Sequence, residues 1–239
     1  MNNLTSEYTN MSDKLRTIAS KNFINITNDT EKTIDLIYKN NPEILLDFII
    51  ERILVNKQDA DILDGFIFQK LLHTDITNIN QKLNKYFPNG IAKQRTSLEA
   101  SYQNLQNLLM NEAFEEADKI TSKYLCELVE IQTNNKKNWL YFTDIQFITS
   151  KDLFAIDSLW KIYSKGNFGF SVQKQIWIQN SKNWDKVWEK INWTINGKMK
   201  RYPHEFMWTL EAPKGHLPLS NQLRGTKTLL YVFNKITWY

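Results

Sequence analysis

Two histidines, His204 and His216, stand twelve residues apart with no cysteine pair or His-rich helix nearby. Zinc ligands come in close pairs, so these two read as polar loop residues and no metal site is expected. The single cysteine, Cys126, sits among apolar residues of a helical pattern. It reads as a packed thiol rather than a nucleophile. Asp152 and Asp157 are five apart and do not share a helix face closely, so a catalytic carboxylate pair would need long-range folding. Asp152 reads better as part of a helix cap. Gly166-Asn167-Phe168-Gly169 is neither a Walker loop nor a dinucleotide fingerprint. No catalytic residue is assigned.

Three other features point to binding. In Gly166 to Gln173, glycines alternate with Phe168 and Phe170, which lets backbone and ring come close to something; core packing is the competing reading. Trp139-Leu140-Tyr141-Phe142 puts four large side chains on a connection. The run from Trp193 to Lys227 mixes Trp193, Met199, Tyr202, Phe206 and Trp208 with Lys198, Lys200, Arg201, Arg224 and Lys227. Long loops of this mixture are ligand or partner surfaces. Single-stranded nucleic acid uses rings and cations too, but these cations form no long stripe. A large, flat, apolar molecule with carboxylates on its edge suits the mixture better: rings and Met line a cleft, and Arg or Lys meets the carboxylates.

The elements that hold these residues read as helices. Asn41-Pro42-Glu43 starts one, with Asn as cap and Pro in the first turn, and Ile44, Leu45, Phe48, Ile49 and Ile53 follow at helical spacing. Asp61 to Leu72 repeats the pattern. Thr96-Ser97-Leu98-Glu99 has the form of a capping box, ahead of a stripe of Leu98, Tyr102, Leu105 and Leu109. Asn111 is placed as the cap of a second, antiparallel helix with Phe114, Ala117, Ile120, Tyr124, Leu128 and Ile131 facing inward. Thr149 with Asp152 caps a third, whose stripe is Leu153, Ile156, Leu159, Trp160 and Tyr163 and whose end is Gly166. A further helix spans Val172 to Ile178. Ile191 to Leu219 reads as a long irregular loop, with a mobile flap from Trp193 to Pro213 and a possible strand at Phe206 to Leu210. A last helix runs from a cap at Asn221 to Phe233.

Composition narrows the class. With 239 residues, 42% hydrophobic, the chain can fill a core, and 7 Gly with 5 Pro are too few for a loop-rich sandwich. No apolar run approaches the roughly 18–20 residues of a membrane span. Residues 1–88 carry ten Lys and Arg against twelve Asp and Glu, while 182–227 carry nine against four. The basic stretch attracts anions. All 8 Trp lie at or after Trp139. The two halves therefore read as two domains: residues 1–88 as a helical bundle, 89–97 as a linker around Pro88-Asn89-Gly90, and 98–239 as the binding core. The polar start, Met1 to Asp13, is neither a signal peptide nor a basic transit peptide. Usage rich in Asn, Ile and Lys matches an AT-rich genome.

At these residues the sequence resembles the "genomes uncoupled" tetrapyrrole-binding proteins of oxygenic phototrophs. The matching blocks are Asp152-Leu153, Ile156 to Trp160, Tyr163-Ser164, Gly166 and Phe168 to Gln173. They continue in Gly215-His216-Leu217-Pro218 and Asn221 to Gly225, with Ala117-Asp118 and Trp139-Leu140 also in place. The resemblance covers about residues 98–233. It implies an all-α protein, an N-terminal helical bundle followed by an all-helical cupped hand. It implies binding of protoporphyrin IX and Mg-protoporphyrin IX without catalysis or a catalytic cofactor. It also implies stimulation of magnesium chelatase through that enzyme's large porphyrin-binding subunit. Asn221, Arg224 and Lys227 then match positions near the porphyrin propionates, and Trp139, Leu140, Phe168, Phe170, Trp193, Met199, Tyr202 and Phe206 are the candidates for the apolar cleft and flap. The alternatives are a sensor of another tetrapyrrole, a bilin or a haem-like ring, and more remotely a single-stranded nucleic-acid module, although no nucleic acid is expected. A plastid location follows, plastid-encoded and with peripheral contact to plastid membranes, or else a cyanobacterial cytoplasm.

Overall fold

A computed structural model of the chain describes residues 2–21, 24–93, 98–219 and 225–238. It is all-α apart from one two-residue hairpin among the described residues. The chain divides into two compact units, Met1–Lys93 and Gln94–Tyr239.

The first unit is a bundle of α1 (Asn2–Ala19), α2 (Asn28–Asn40), α3 (Pro42–Ile50), α4 (Ile62–Leu72) and α5 (Thr77–Tyr86). The expected start at Asn41 forms: its Oδ1 accepts the N–H of Glu43 at 3.2 Å, and Pro42 opens the helix. After Ile50 the helix widens into a π turn over Glu51–Val55. Asp61 caps α4 by accepting from Leu63 and Asp64, and Asp64 returns the bond to the Asp61 N–H. Nine of the eleven α4 residues are buried, so α4 is the central rod of the bundle. Ile91 is buried and Lys93 bonds the carbonyl of Lys57, so the bundle runs on past the linker expected from residue 89.

The second unit begins with α6 (Glu99–Met110) and α7 (Phe114–Thr133), joined by three residues and therefore antiparallel. The capping box expected at 96–99 lies partly outside the described residues. Asn111 does not cap α7; its side chain turns back to the carbonyl of Asn107 and finishes α6 instead. The buried face of α7 is centred on Leu125. Ile131 lies six residues on, about 120° round the helix, and is exposed rather than inward. A connector from 134 to 149, with one 3-10 turn, leads to α8 (Ser150–Ile162). Thr149 caps α8 as expected, accepting the N–H of Asp152. Gly166 ends it at φ +80, with its N–H on the carbonyl of Lys161. α9 (Phe170–Gln179) and α10 (Trp184–Lys190) follow; α10 carries no stripe long enough to stand out in the sequence.

The long segment after α10 holds β1 (Thr194–Ile195) and β2 (Lys198–Met199), paired antiparallel. Asn196 and Gly197 both have positive φ, the form a two-residue hairpin turn requires. The strand expected at Phe206 to Leu210 is not there; those residues are irregular, with bends at Phe206 and Thr209 and a turn at Leu210. α11 (Thr226–Lys235) opens after Gly225, four residues later than the helix start expected at Asn221. Trp160 is the centre of this unit's core, packed on Phe114 and Phe168.

Candidate functional site

The connector between α7 and α8 presents rings by alternation. Leu140 is fully buried and pins the segment, which turns Trp139 and Tyr141 outward at 41% and 50% exposure. Asp144 then shapes the turn, accepting the Tyr141 N–H at 2.9 Å and the Lys137 ammonium at 3.2 Å. Phe142 packs against Tyr231 of α11 at 5.3 Å, and the Lys227 ammonium lies 3.8 Å from the centre of the Phe142 ring. Lys235 closes the same junction by donating to the carbonyls of Gln146 and Ile148. Rings from the connector and α11, with Lys227 and Lys235 of α11, thus meet along this junction.

On the other side of the connector lies a cavity of about 470 Å³. α7 lines it with Lys119, Ser122, Lys123, Cys126, Glu127 and Glu130, and the connector with Lys136, Lys137 and Asn138. The sequence reading missed these lysines, although Lys119 and Lys123 stand one helical turn apart. Several of the charges are already engaged: Lys119 with Glu115, Lys123 with Glu127, and Lys137 with Asp144. Cys126 is buried and its thiol is pushed up to about 11, chiefly by burial. It is a poor nucleophile at neutral pH.

The loop residues expected in the cleft separate into two groups. Met199 and Tyr202 are exposed and Phe206 is half-buried, whereas Trp193 is buried. Phe168 and Phe170 are fully enclosed like Leu140 and present no surface; Phe168 meets Phe114 edge-on at 5.4 Å. Their alternation with glycines therefore serves the core. Asn221 and Arg224 lie outside the described residues. Lys227 is exposed in the first turn of α11.

The base of the loop packs on a run of rings and is hydrogen-bonded to α9. Trp177, Trp184, Trp188 and Trp193 follow one another at 5.6, 5.0 and 5.1 Å, and the last pair stacks with its planes nearly parallel, at 4°. Phe206 meets Trp193 edge-on at 6.4 Å. Gln173 donates to the carbonyls of Gly215 and Pro218.

His216 is not the polar loop residue that spacing suggested. It is fully buried; its Nδ1 donates to the carbonyl of Ile191 at 2.6 Å, and its Nε2 accepts the N–H of Met207 at 3.1 Å. Trp193 Nε1 donates to the His216 carbonyl. Burial pushes the imidazole below its ordinary value. His216→Ala is expected to strand the Met207 N–H and the Ile191 carbonyl, at about 1–3 kcal/mol for a buried group left unpaired. Amide exchange at Met207 should quicken more than in α8; equal change in both would mean that His216 supports the whole core rather than the loop.

No group of three or more His, Cys, Asp or Glu among the described residues is arranged to hold a metal ion. Among the same residues no helix is long and apolar enough to cross a membrane.

Comparison with known proteins adds the family. The family model described as GUN4-like matches residues 95–235, nearly the whole second unit. The uncharacterized protein ycf53 of Porphyra purpurea is 44% identical over 179 residues, 75% of either chain. The Ycf53-like protein of a Synechocystis strain is 36% identical over 195 residues, 82% of either chain. A chloroplastic tetrapyrrole-binding protein of Arabidopsis thaliana is 36% identical over 139 residues, 54% of this chain and 52% of its own. Among solved structures, GUN4 from Chlamydomonas reinhardtii matches with a TM-score of 0.51 at 34% identity, covering 60% of this chain and 94% of that one. The blocks from Asp152 to Gln173 and from Gly215 to Gly225 fall inside the matched region, and the chain belongs to the GUN4-like family.

Proposed function

We propose that this protein binds a porphyrin, protoporphyrin IX or Mg-protoporphyrin IX, and presents it to magnesium chelatase through that enzyme's large porphyrin-binding subunit. The observation that carries the reading is the junction of the connector with α11: exposed Trp139 and Tyr141, and a Phe142–Tyr231 pair capped by Lys227. Rings can cover a macrocycle face, at about 25 cal/mol per Å² of apolar surface removed from water. Cations at the edge can take the propionates as charge-assisted bonds. The chloroplastic tetrapyrrole-binding relative from Arabidopsis supports the ligand class. The role is binding rather than catalysis: a cleft that covers an insoluble, light-reactive ring and hands it on. Magnesium would enter as part of the ligand. The algal ycf53 relatives and the chloroplastic one support a plastid location, and peripheral contact with plastid membranes belongs to the same reading.

Asn221, Arg224 and Lys227 are the proposed propionate anchors, with Arg224 foremost because its planar fork can take a carboxylate by two bonds. A charge-assisted hydrogen bond contributes roughly 1.5–3 kcal/mol. Arg224→Ala should therefore weaken binding about tenfold to a hundredfold in a Soret-shift titration with protoporphyrin IX. The dimethyl ester should bind the unaltered chain with at least that loss, and esterification should cost the variant less than it costs the unaltered chain, since Arg224 supplies the largest of the contacts that esterification removes. Equal binding of acid and ester by the unaltered chain would leave the macrocycle face as the sole source of affinity and remove the anchor role. No Soret shift with either would remove the porphyrin reading itself.

A further inference from the structure

Asp118 of α7 is an acid that the binding surface does not use. It is 1% exposed, and its Oδ1 accepts the N–H of Leu219 at 2.7 Å, across 101 positions of chain. No cation among the described residues stands within ion-pair distance of it. Lys119 and Glu115 of the same helix act on it through space but are paired with each other at 2.7 Å. The Tyr202 phenol is raised chiefly by burial and next by the Asp118 charge. Leu219 and Tyr202 both belong to the segment between α10 and α11. The hydrogen-bond donor that Asp118 receives from outside its own helix, the Leu219 N–H, therefore belongs to the loop, and displacing the loop at Leu219 would uncover the carboxyl.

We propose that Asp118 is the positioning residue of this loop and couples loop opening to loss of a proton. The loop then closes on the acid side of neutrality and loosens as the pH rises. The argument is one of linkage. In the closed state burial dominates and raises the Asp118 carboxyl to about 7, against the smaller opposing effects of the Leu219 N–H and Lys119. In the open state the carboxyl is hydrated and returns to its ordinary value, about 3.9. Between these two values the closed state holds more protons than the open one. Each pH unit upward then favours opening by about tenfold, with no further change above neutrality. His216, a buried titratable group of the loop itself, acts with the opposite sign. Its ring is held neutral when closed, so protonation would turn the acceptor of the Met207 N–H into a donor and open the loop as the pH falls.

The two groups are separated by taking a ratio. Amide exchange at His216, Leu217 and Leu219 is measured on the full, ligand-free chain from pH 5 to 8, corrected for intrinsic chemistry, and compared with Asp118→Asn. The asparagine keeps an oxygen for the Leu219 N–H but has no proton to lose in this range. The ratio of opening constants, unaltered over variant, should rise about tenfold per unit from pH 5 to 7 and flatten above, whatever His216 contributes. A ratio that stays flat across this range overturns the proposal. If the variant fails to fold, the Asp118 carboxyl carbon is titrated by NMR in the unaltered chain. A midpoint near neutrality supports the coupling, and one below about 5 overturns it.

Control of ligand release rests on the porphyrin reading and has its own measurement. Dissociation of protoporphyrin IX into excess apomyoglobin should quicken from pH 6 to 7 in the unaltered chain and not in Asp118→Asn. Parallel rates in both proteins overturn control of release. Failure of any protoporphyrin to bind overturns the porphyrin reading, while the exchange ratio still decides the latch.

Discussion

Trp160→Ala is expected to lower the stability of the second unit by about 3–5 kcal/mol, the range for truncating a buried large ring. Trp160 is fully buried on α8, stacked on Phe114 at 6.2 Å and against Phe168 at 6.4 Å. Its Nε1 donates to Thr121 Oγ1 at 2.9 Å, a bond inside the core between α8 and α7. Truncation opens a cavity between Phe114 and Phe168 and deprives the Thr121 hydroxyl of its donor. Trp160→Phe should cost clearly less, since it keeps most of the packing and loses the bond. All eight tryptophans lie from Trp139 onward, so their fluorescence reports unfolding of this unit. A fall in the urea midpoint at unchanged slope would measure the loss. A loss of under about 1 kcal/mol for alanine would mean that Phe114 and Phe168 collapse into the space and that Trp160 is not the centre of the core.

Trp160 stands inside one of the blocks that made the family legible, and it is a core residue. That explains what the sequence could and could not say. Helices with both a cap and a stripe were readable, because two independent physical requirements coincide there: Asn41 with Ile44 to Ile53, and Thr149 with Leu153 to Tyr163. Asn111 misled because an asparagine at the end of one helix can serve either neighbour, and here it bonds back to Asn107. The hairpin at Asn196-Gly197 was legible in principle, since that dipeptide is a strong turn signal, but the flanking strands are only two residues long.

The site was harder to read, for a reason visible at Leu140, Phe168, Phe170 and Trp193. An apolar side chain near a loop can either cover a ligand or plug the core, and period alone does not separate the two. Trp139 and Leu140 are neighbours in sequence, yet the fold turns one outward and buries the other. The cavity lysines and Asp118 were hidden for the complementary reason. Their meaning depends on what the chain brings opposite them, and for Asp118 that is Leu219, a hundred residues away.

Gly169→Ala is expected to cost about 2–4 kcal/mol, combining backbone strain of about 1–3 kcal/mol with damage to a buried cap. Gly169 has φ +133 and ψ 155, a region that L side chains rarely adopt. A Cβ there would lie 2.8 Å from Asp157 Oδ1 and 3.2 Å from Lys161 Cγ. The Lys161 stem can swing away, but Asp157 cannot move cheaply. Its Oδ1 accepts the Ser171 N–H at 2.8 Å, in the first turn of α9, and its Oδ2 accepts Trp238 Nε1 at 3.0 Å. Retreat of the carboxylate would leave a buried donor at the helix start unpaired. The glycine between the two phenylalanines thus lets the chain approach its own Asp157, and its N–H meanwhile donates to the Leu217 carbonyl of the returning loop. Gly197→Ala is the control, because Gly197 also has positive φ, +75, but nothing lies within 4 Å of a Cβ placed there. It should cost only the strain, about 1 kcal/mol. Urea midpoints read by tryptophan fluorescence would compare the two. Equal losses would mean that Asp157 yields to the methyl group without losing Ser171, and that the cap is not a fixed seat for α9.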